Sequence, residues 1–135
     1  MSTRSNIVLN KDGKYHMIYC HSDGYPSHNG RILLENYTNE EKIWELIQLG
    51  DISLLGGEIG EKHDFNNYPD NVVTAYHRDR GDDIDETKHN SFDTKEDALE
   101  TCDNDYTYLF EDGKWFFRHR QKELVELLPK HIEED

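Results

Sequence analysis

Apolar and polar residues alternate in two segments of the chain, and each segment contains an Asp-Gly pair at its centre. Residues 7–20 carry the pair Asp12-Gly13, and residues 106–119 carry the pair Asp112-Gly113. An Asp-Gly pair favours the two positive φ angles of a type I′ turn, which joins antiparallel strands. We therefore predict two β-hairpins. Both faces of the first hairpin are substantially apolar, which predicts either cover on both faces or a pocket on the second face.

Four other segments have the apolar spacing and end signals of helices. The first covers residues 26–36 and begins with Pro26, and the second begins with a capping box formed by Thr38 and Glu41. The third is capped by Asp93 or Thr94, and the fourth covers residues 124–128. Residues 72–80 have the pattern of a strand. This order predicts an α+β fold in which residues 1–135 form a single domain. Its largely antiparallel sheet is built from two β-hairpins plus a central strand and is packed with about four helices.

The composition indicates a folded chain. It has 135 residues and a formal net charge of −14, and its 8 Tyr, 5 Phe and 2 Trp are core material that a disordered acidic chain would lack. No apolar run approaches the roughly 20 residues of a membrane span, and no signal peptide is recognised. With only Cys20 and Cys102, no disulfide framework is expected, which favours the cytoplasm. The charge argues against indiscriminate binding to nucleic acid or membranes.

The negative charge is concentrated in one part of the sequence. Residues 82–105 contain ten acidic and two basic side chains. One interpretation is a solvated surface that aids solubility. The other is an acidic surface that imitates a phosphate backbone and occupies a basic site on another protein. The residues chosen for that surface are Asp82, Asp83, Asp85, Asp93 and Asp97.

Two segments are hard to explain by folding alone: residues 19–26, which follow a predicted strand, and residues 76–82, which end another. If residues 72–80 form a strand, Tyr76, Arg78 and Arg80 share a face. The two arginines either pair with nearby carboxylates or present their guanidinium groups to a phosphate or carboxylate ligand. The ligand-binding hypothesis assigns Arg78 and Arg80 to the anion, His21 and Asp23 to hydrogen bonds, and Tyr19, Tyr25 and Tyr76 to the walls of the site.

Motifs for metal binding and catalysis are weak. His21, Asp23, His28, His63, Asp64 and His77 are possible ligand types, but no HExxH motif or paired-cysteine spacing accompanies them. Cys20 and His21 would point to opposite faces of a strand, and we expect Cys20 to be a core residue. We therefore predict no metal, no cofactor and no catalytic residue. A hydrolase that uses His21, Asp23 and His77 is kept as an alternative.

Several segments resemble a family of small proteins carried by bacteriophages and prophages, for which no activity is settled. The segments are residues 2–7 (STRSNI), 19–26 (YCHSDGYP), 49–53 (LGDIS) and 76–81 (YHRDRG). In that family a Trp often occupies the position of Ser22. The resemblance implies a small accessory protein that acts in the host bacterial cytoplasm during infection.

Together these observations lead to three functional hypotheses. The first is a non-enzymatic counter-defence protein of phage type that sequesters a small phosphorylated, nucleotide-like ligand. The second is an acidic mimic of nucleic acid that inhibits a basic host protein involved in defence or DNA binding. The third is a metal-dependent phosphodiesterase. A homo-oligomer is left open.

Overall fold

The computed structural model describes residues 3–133, and Ser2 of the first resemblance segment lies outside that range. Its sheet has the strand order β4-β3-β2-β1-β6-β7-β8, with β5 paired to β2. The strands are β1 Ser5–Lys11, β2 Lys14–Cys20, β3 Ile52–Leu54, β4 Thr74–Ala75, β5 Asn90–Phe92, β6 Tyr106–Glu111, β7 Lys114–His119 and β8 Val125–Glu126. Strands β1 and β6 run parallel, as do β2 and β3, and the other pairs are antiparallel. The predicted α+β class, with a largely antiparallel sheet, is confirmed.

Short helices connect the strands. A π-helical turn over Pro26–Gly30 continues into α1, and the helices are α1 Arg31–Asn36, α2 Glu40–Gln48, α3 Tyr76–Arg80, α4 Ile84–Thr87, α5 Lys95–Thr101 and α6 Pro129–Ile132. Thr94 caps α5 by accepting a hydrogen bond from the Asp97 N–H at 3.1 Å. Within residues 3–133, no helix is both long and apolar enough to cross a membrane.

Both predicted hairpins are confirmed, and their turns have the expected geometry. Asp12 and Gly13 have φ angles of 54° and 79°, and Asp112 and Gly113 have φ angles of 55° and 75°. Leu9 faces His16 across the first hairpin. The parallel pairing of β1 with β6 then joins the two hairpins into one sheet.

The sheet is covered on both faces, as the two apolar sides of the first hairpin predicted. One face packs against α1 and α2, and its buried residues include Ile7, Leu9, Ile18, Cys20, Leu33, Ile43, Leu46 and Tyr108. The other face packs against α5, and its buried residues are Val8, Met17, Ala98, Cys102 and Leu109. Burying apolar area in these two layers is the main stabilising contribution to the fold.

The strand predicted over residues 72–80 was wrong. Only Thr74–Ala75 is a strand, at the edge of the sheet, and the chain then forms α3. The carboxylate of Asp79 folds back and accepts the Ala75 N–H at 2.7 Å, while Gly81, with φ 86°, ends the helix. In a helix, residues four apart share a face. Tyr76 and Arg80 are therefore neighbours, whereas Arg78 lies on another side.

The helix predicted over residues 124–128 was also wrong. Those residues contain β8, which pairs with β7, and the Leu127 N–H donates to the Trp115 carbonyl at 2.8 Å. Pro129 begins α6 instead of ending a helix, because proline needs no backbone hydrogen-bond acceptor at a helix N-terminus.

The residue that caps α2 differs by one position from the prediction. Asn39, rather than Thr38, accepts the Lys42 N–H, at 2.8 Å. We expect Asn39→Ala to lower the free energy of unfolding by about 1 kcal/mol, because it leaves a helix N–H without its side-chain acceptor. Thr38→Ala is the matched control and should change it by less than about 0.5 kcal/mol. Urea unfolding of both variants measures the difference, and equal losses would contradict the assignment.

Candidate functional site

The end of β2 brings a phenol and an imidazole together. The Tyr19 hydroxyl and His21 Nδ1 are hydrogen-bonded at 2.8 Å, and both side chains are partly exposed. Backbone pairing with β3 continues past the end of β2, because the His21 N–H donates to the Ile52 carbonyl at 3.1 Å. The two side chains are therefore held on an ordered backbone.

Asp51 lies beside them. Its carboxylate accepts the Tyr19 N–H at 3.0 Å. Gly50 ends α2 with φ 82°, and a Cβ there would collide with the Thr87 carbonyl oxygen, so the glycine allows the chain to bring Asp51 against β2. Burial raises the pKa of Asp51 to about 6, although the hydrogen bond from Tyr19 opposes that shift. A half-buried carboxylate with a pKa near neutrality is a typical feature of a binding site.

Helix α3 adds an aromatic and cationic wall. The rings of Phe65 and Tyr76 are 5.7 Å apart, and the Arg80 guanidinium carbon lies 4.7 Å from the Tyr76 ring centroid and 5.0 Å from that of Phe65. Contacts of this length are favourable cation–π interactions. Arg80 also forms a two-pronged ion pair with Asp82, with distances of 2.9 and 2.7 Å. That pair lowers the pKa of Asp82.

Helix α3 is joined to the Asp51 segment through the backbone, because the Tyr76 N–H donates to the Asp51 carbonyl at 3.3 Å. Burial raises the pKa of Tyr76, although a hydrogen bond with Ser53 of β3 and the charge of Arg80 oppose the shift. Burial also raises the pKa of Tyr19, and the nearby Tyr76 and Asp51 add to that effect. We call this set the polar-aromatic cluster, and its members are Tyr19, His21, Asp51, Tyr76 and Arg80. Four of them were predicted from the sequence.

Asp51 was missed because it stands in no recognisable motif. The Gly50-Asp51 pair follows the helix stop that the sequence predicted, but its contact with Tyr19 spans 32 residues. Asp51 lies in residues 49–53, which are noted above only for their resemblance to the phage proteins. A carboxylate directly after a helix-ending glycine and before a short apolar run was the available signal.

Arg78 belongs to the scaffold. Its side chain is 15% exposed and is held by Asp79, whose side chain is fully buried, through hydrogen bonds of 3.1 and 3.2 Å. It also donates to the carbonyls of Ile59 at 2.8 Å, Gly60 at 3.3 Å and Val73 at 2.6 Å. Burial opposes ionisation of Asp79, but hydrogen bonds from Arg78 and two backbone N–H groups outweigh it and lower its pKa. Arg78 thus pairs with a nearby carboxylate, which is the structural alternative to ligand binding that the sequence predicts.

Asp23 and Tyr25 lie at the turn that leads into the π-helical segment. Asp23 adopts the left-handed conformation with φ 56°, and the Tyr25 hydroxyl donates to its carboxylate at 3.5 Å. No hydrogen bond or ring contact among the described residues joins Asp23 to the polar-aromatic cluster. The Tyr108 hydroxyl donates to the Gly24 carbonyl at 2.6 Å, which fixes this turn against the sheet. Folding thus accounts for much of the segment 19–26.

Cys20 lies in the core, as predicted. It is fully buried, and burial raises its pKa to about 11, so its thiol is protonated at neutral pH. The histidines and aspartates weighed as metal ligands do not assemble: within residues 3–133, no group of three or more His, Cys, Asp or Glu side chains could hold a metal ion.

The acidic surface consists of residues on α4, α5 and the segments around them. Asp83, Asp85, Asp93 and Asp97 are exposed, and Asp82 is half-buried against Arg80. Asp93 pairs with Lys14 at 3.2 Å, and Asp83 caps α4 through the Asp85 N–H. Further exposed carboxylates in this segment are Glu86, Glu96, Glu100 and Asp103. Most of the negative charge of residues 82–105 therefore faces solvent.

Comparisons with known proteins give no relative that would assign either surface. No family model matches the chain, and neither a curated protein nor a solved structure matches it.

Proposed function

We propose that this protein binds a small phosphorylated, nucleotide-like ligand at the polar-aromatic cluster and sequesters it without chemical turnover. The observation that carries the proposal is that the hydrogen-bonded Tyr19 and His21, with the Asp51 carboxylate beside them, neighbour the stacked Tyr76 and Arg80 of α3. The Tyr76 N–H, which donates to the Asp51 carbonyl at 3.3 Å, links the two groups. The resemblance to phage proteins supports a role for this binding in counter-defence within the bacterial cytoplasm.

Arg80 is assigned to the phosphate. Its guanidinium is half-exposed and already oriented by the rings of Tyr76 and Phe65. A planar guanidinium donates two parallel hydrogen bonds to a phosphate as readily as to a carboxylate. Asp82 occupies that position in the structure, so a phosphate competes with Asp82 for Arg80.

The base and sugar are assigned to the remaining members of the cluster. Tyr19 and His21 offer hydrogen-bonding atoms, the Tyr19 ring is assigned to stacking, and Tyr76 forms a wall of the site beneath Arg80. The Asp51 carboxylate accepts from an N–H or O–H of the ligand. Aromatic faces, one cation and one carboxylate within the same surface are complementary to a ligand that has both an anionic and a hydrogen-bond-donating end.

Calorimetry with nucleoside monophosphates, triphosphates, cyclic nucleotides and cyclic dinucleotides tests the proposal. We expect at least one of these classes of nucleotide to bind, and the bound nucleotide to be recovered from the protein chemically unchanged. Arg80→Gln should weaken binding about tenfold, because it removes the charge-assisted hydrogen bonds to the phosphate. Asp82→Asn should tighten binding about threefold, because it removes the competitor. If no class binds, or if both variants leave the affinity unchanged, the proposal is wrong.

A second function is favoured by the exposure of the acidic surface. Asp83, Asp85, Asp93 and Asp97 all face solvent, as a mimic of nucleic acid requires. Under that function, tagged protein should capture a basic host protein at low salt and release it at high salt. Reversing the charge of these four residues should abolish capture. Failure to recover a salt-sensitive partner would count against it.

A further inference from the structure

A concave surface lies on the α5 side of the sheet, away from the polar-aromatic cluster. It is a groove of about 330 Å³ between α5, β7 and the segment that leads to β8. Its lining residues are Lys95, Leu99, Glu111, Phe116, Glu123 and Leu124. Strands β1 and β6 separate β2, which carries Tyr19, from β7, which carries Phe116. The groove is therefore a separate surface from the proposed nucleotide site.

The floor of the groove is apolar, and its one lining cation is already neutralised. Leu99, Phe116 and Leu124 are half-buried, and Phe116 and Leu124 pack against the smaller core layer. Lys95 forms an ion pair with Glu111 at 2.6 Å. Glu111 also accepts a 2.6 Å hydrogen bond from Tyr15, so its carboxylate is held within the protein.

The rim of the groove is acidic. On α5, Leu99 faces the groove while Ala98 faces the core, and the helical repeat places Glu96 and Glu100 on the outer shoulder above Leu99. Both are exposed, as is Glu123 on the opposite wall, where Lys122 is the adjacent cation. Asp97 is exposed too, but the same repeat places it on the flank of α5 away from the groove.

We infer that this groove binds a basic amphipathic helix of a partner protein, whose apolar side chains fill the floor while its Lys and Arg side chains meet Glu96, Glu100 and Glu123. An apolar trough with charged shoulders is the usual receptor for such a helix. The same carboxylates oppose the other occupants, because nucleic acid and anionic lipid are negatively charged and a second copy of this chain carries a net charge of −14. Charge complementarity therefore selects the basic helix.

A labelled 18-residue peptide of leucine and lysine tests the inference, with leucines at the i, i+3, i+4 and i+7 spacing of one helix face. The control peptide has the same composition, with its leucines spread around the helix. Anisotropy at 150 mM salt should show binding of the amphipathic peptide and at least tenfold weaker binding of the control. Amide NMR shifts in the full chain should be largest at Leu99, Phe116 and Leu124.

Two variants carry the same change of charge and separate the groove from bulk electrostatics: Glu100→Lys on α5, and Glu45→Lys on α2, which packs on the opposite face of the sheet. Glu100→Lys should weaken the amphipathic peptide about tenfold, and Glu45→Lys should weaken it less than threefold, because salt screens charges beyond about 8 Å. Both residues are exposed, so both variants should fold. Equal losses in the two variants, equal binding of the two peptides, or NMR shifts centred elsewhere would each overturn the inference. Nucleotide binding at Arg80 is unaffected by any of these outcomes.

Discussion

Arg78→Ala should lower the free energy of unfolding by about 3 kcal/mol, because it leaves the fully buried Asp79 carboxylate without its charged partner. The same change leaves the carbonyls of Ile59 and Val73 without the guanidinium that links them. The side chain thus joins the loop before β4 to the first turn of α3. Arg78→Lys should restore less than half of the lost free energy of unfolding, since one ammonium group cannot replace the several N–H donors of the planar guanidinium.

Arg80→Ala is the matched control two residues away on the same helix. Arg80 is half-exposed and its partner Asp82 lies at the surface, so the urea midpoint should hardly move. Urea unfolding followed by circular dichroism measures both variants under one condition. If Arg78→Ala is as stable as Arg80→Ala, then Arg78 is not part of the scaffold, and its role in ligand binding should be reconsidered.

The parts of the fold that the sequence predicted are those that local chemistry decides. The Asp-Gly turns need two positive φ angles in adjacent residues, and that requirement is met within four residues of chain. The register of both hairpins follows from it. Residues 76–80 show the opposite case: the sequence pattern predicted a strand, but the Asp79 carboxylate accepts the Ala75 N–H and stabilises the first turn of a helix.

The candidate site was predicted in part for a reason that did not hold. Alternation along a strand would place Tyr76, Arg78 and Arg80 on one face. In the helix, Arg80 stacks on the Tyr76 ring, whereas Arg78 points to another side and pairs with the buried Asp79. The contact of Asp51 with Tyr19 and the groove beside α5 could not be predicted, since each is formed by segments that lie far apart in the chain. Long-range packing, rather than local propensity, places them.

The carboxylate of Asp51 should be destabilising at neutral pH. Its pKa of about 6 lies above the ordinary value of 3.8, so the folded chain holds the proton more tightly than the unfolded chain does. The protonated form contributes stability below about pH 4, and that contribution is lost as the pH rises through 6. Asp51→Asn removes the buried charge and retains an oxygen to accept the Tyr19 N–H.

Asp51→Asn should therefore raise the free energy of unfolding at pH 7.5 by about 1 kcal/mol, a value reduced from the full shift because Asp51 is partly solvated. At pH 4 the variant and the natural protein should have nearly equal free energies of unfolding. Burial lowers the pKa values of His16 and His89, which makes both proteins less stable as the pH falls. Taking the difference between the two proteins at each pH cancels that contribution. Urea unfolding at pH 4.0, 5.5 and 7.5 provides the measurement.

The same substitution should weaken ligand binding about 30-fold, because a hydrogen bond to a charged acceptor contributes roughly 2 kcal/mol and the amide cannot replace it. A more stable protein that binds more weakly is the result expected when a carboxylate is kept for binding at the expense of stability. Loss of stability at pH 7.5 would instead make Asp51 a structural acceptor for Tyr19. Greater stability with unchanged affinity would remove Asp51 from the site while leaving the assignment of Arg80 intact. Because unfolding and calorimetry are measured on the same variant, each of these outcomes is distinguishable from the others.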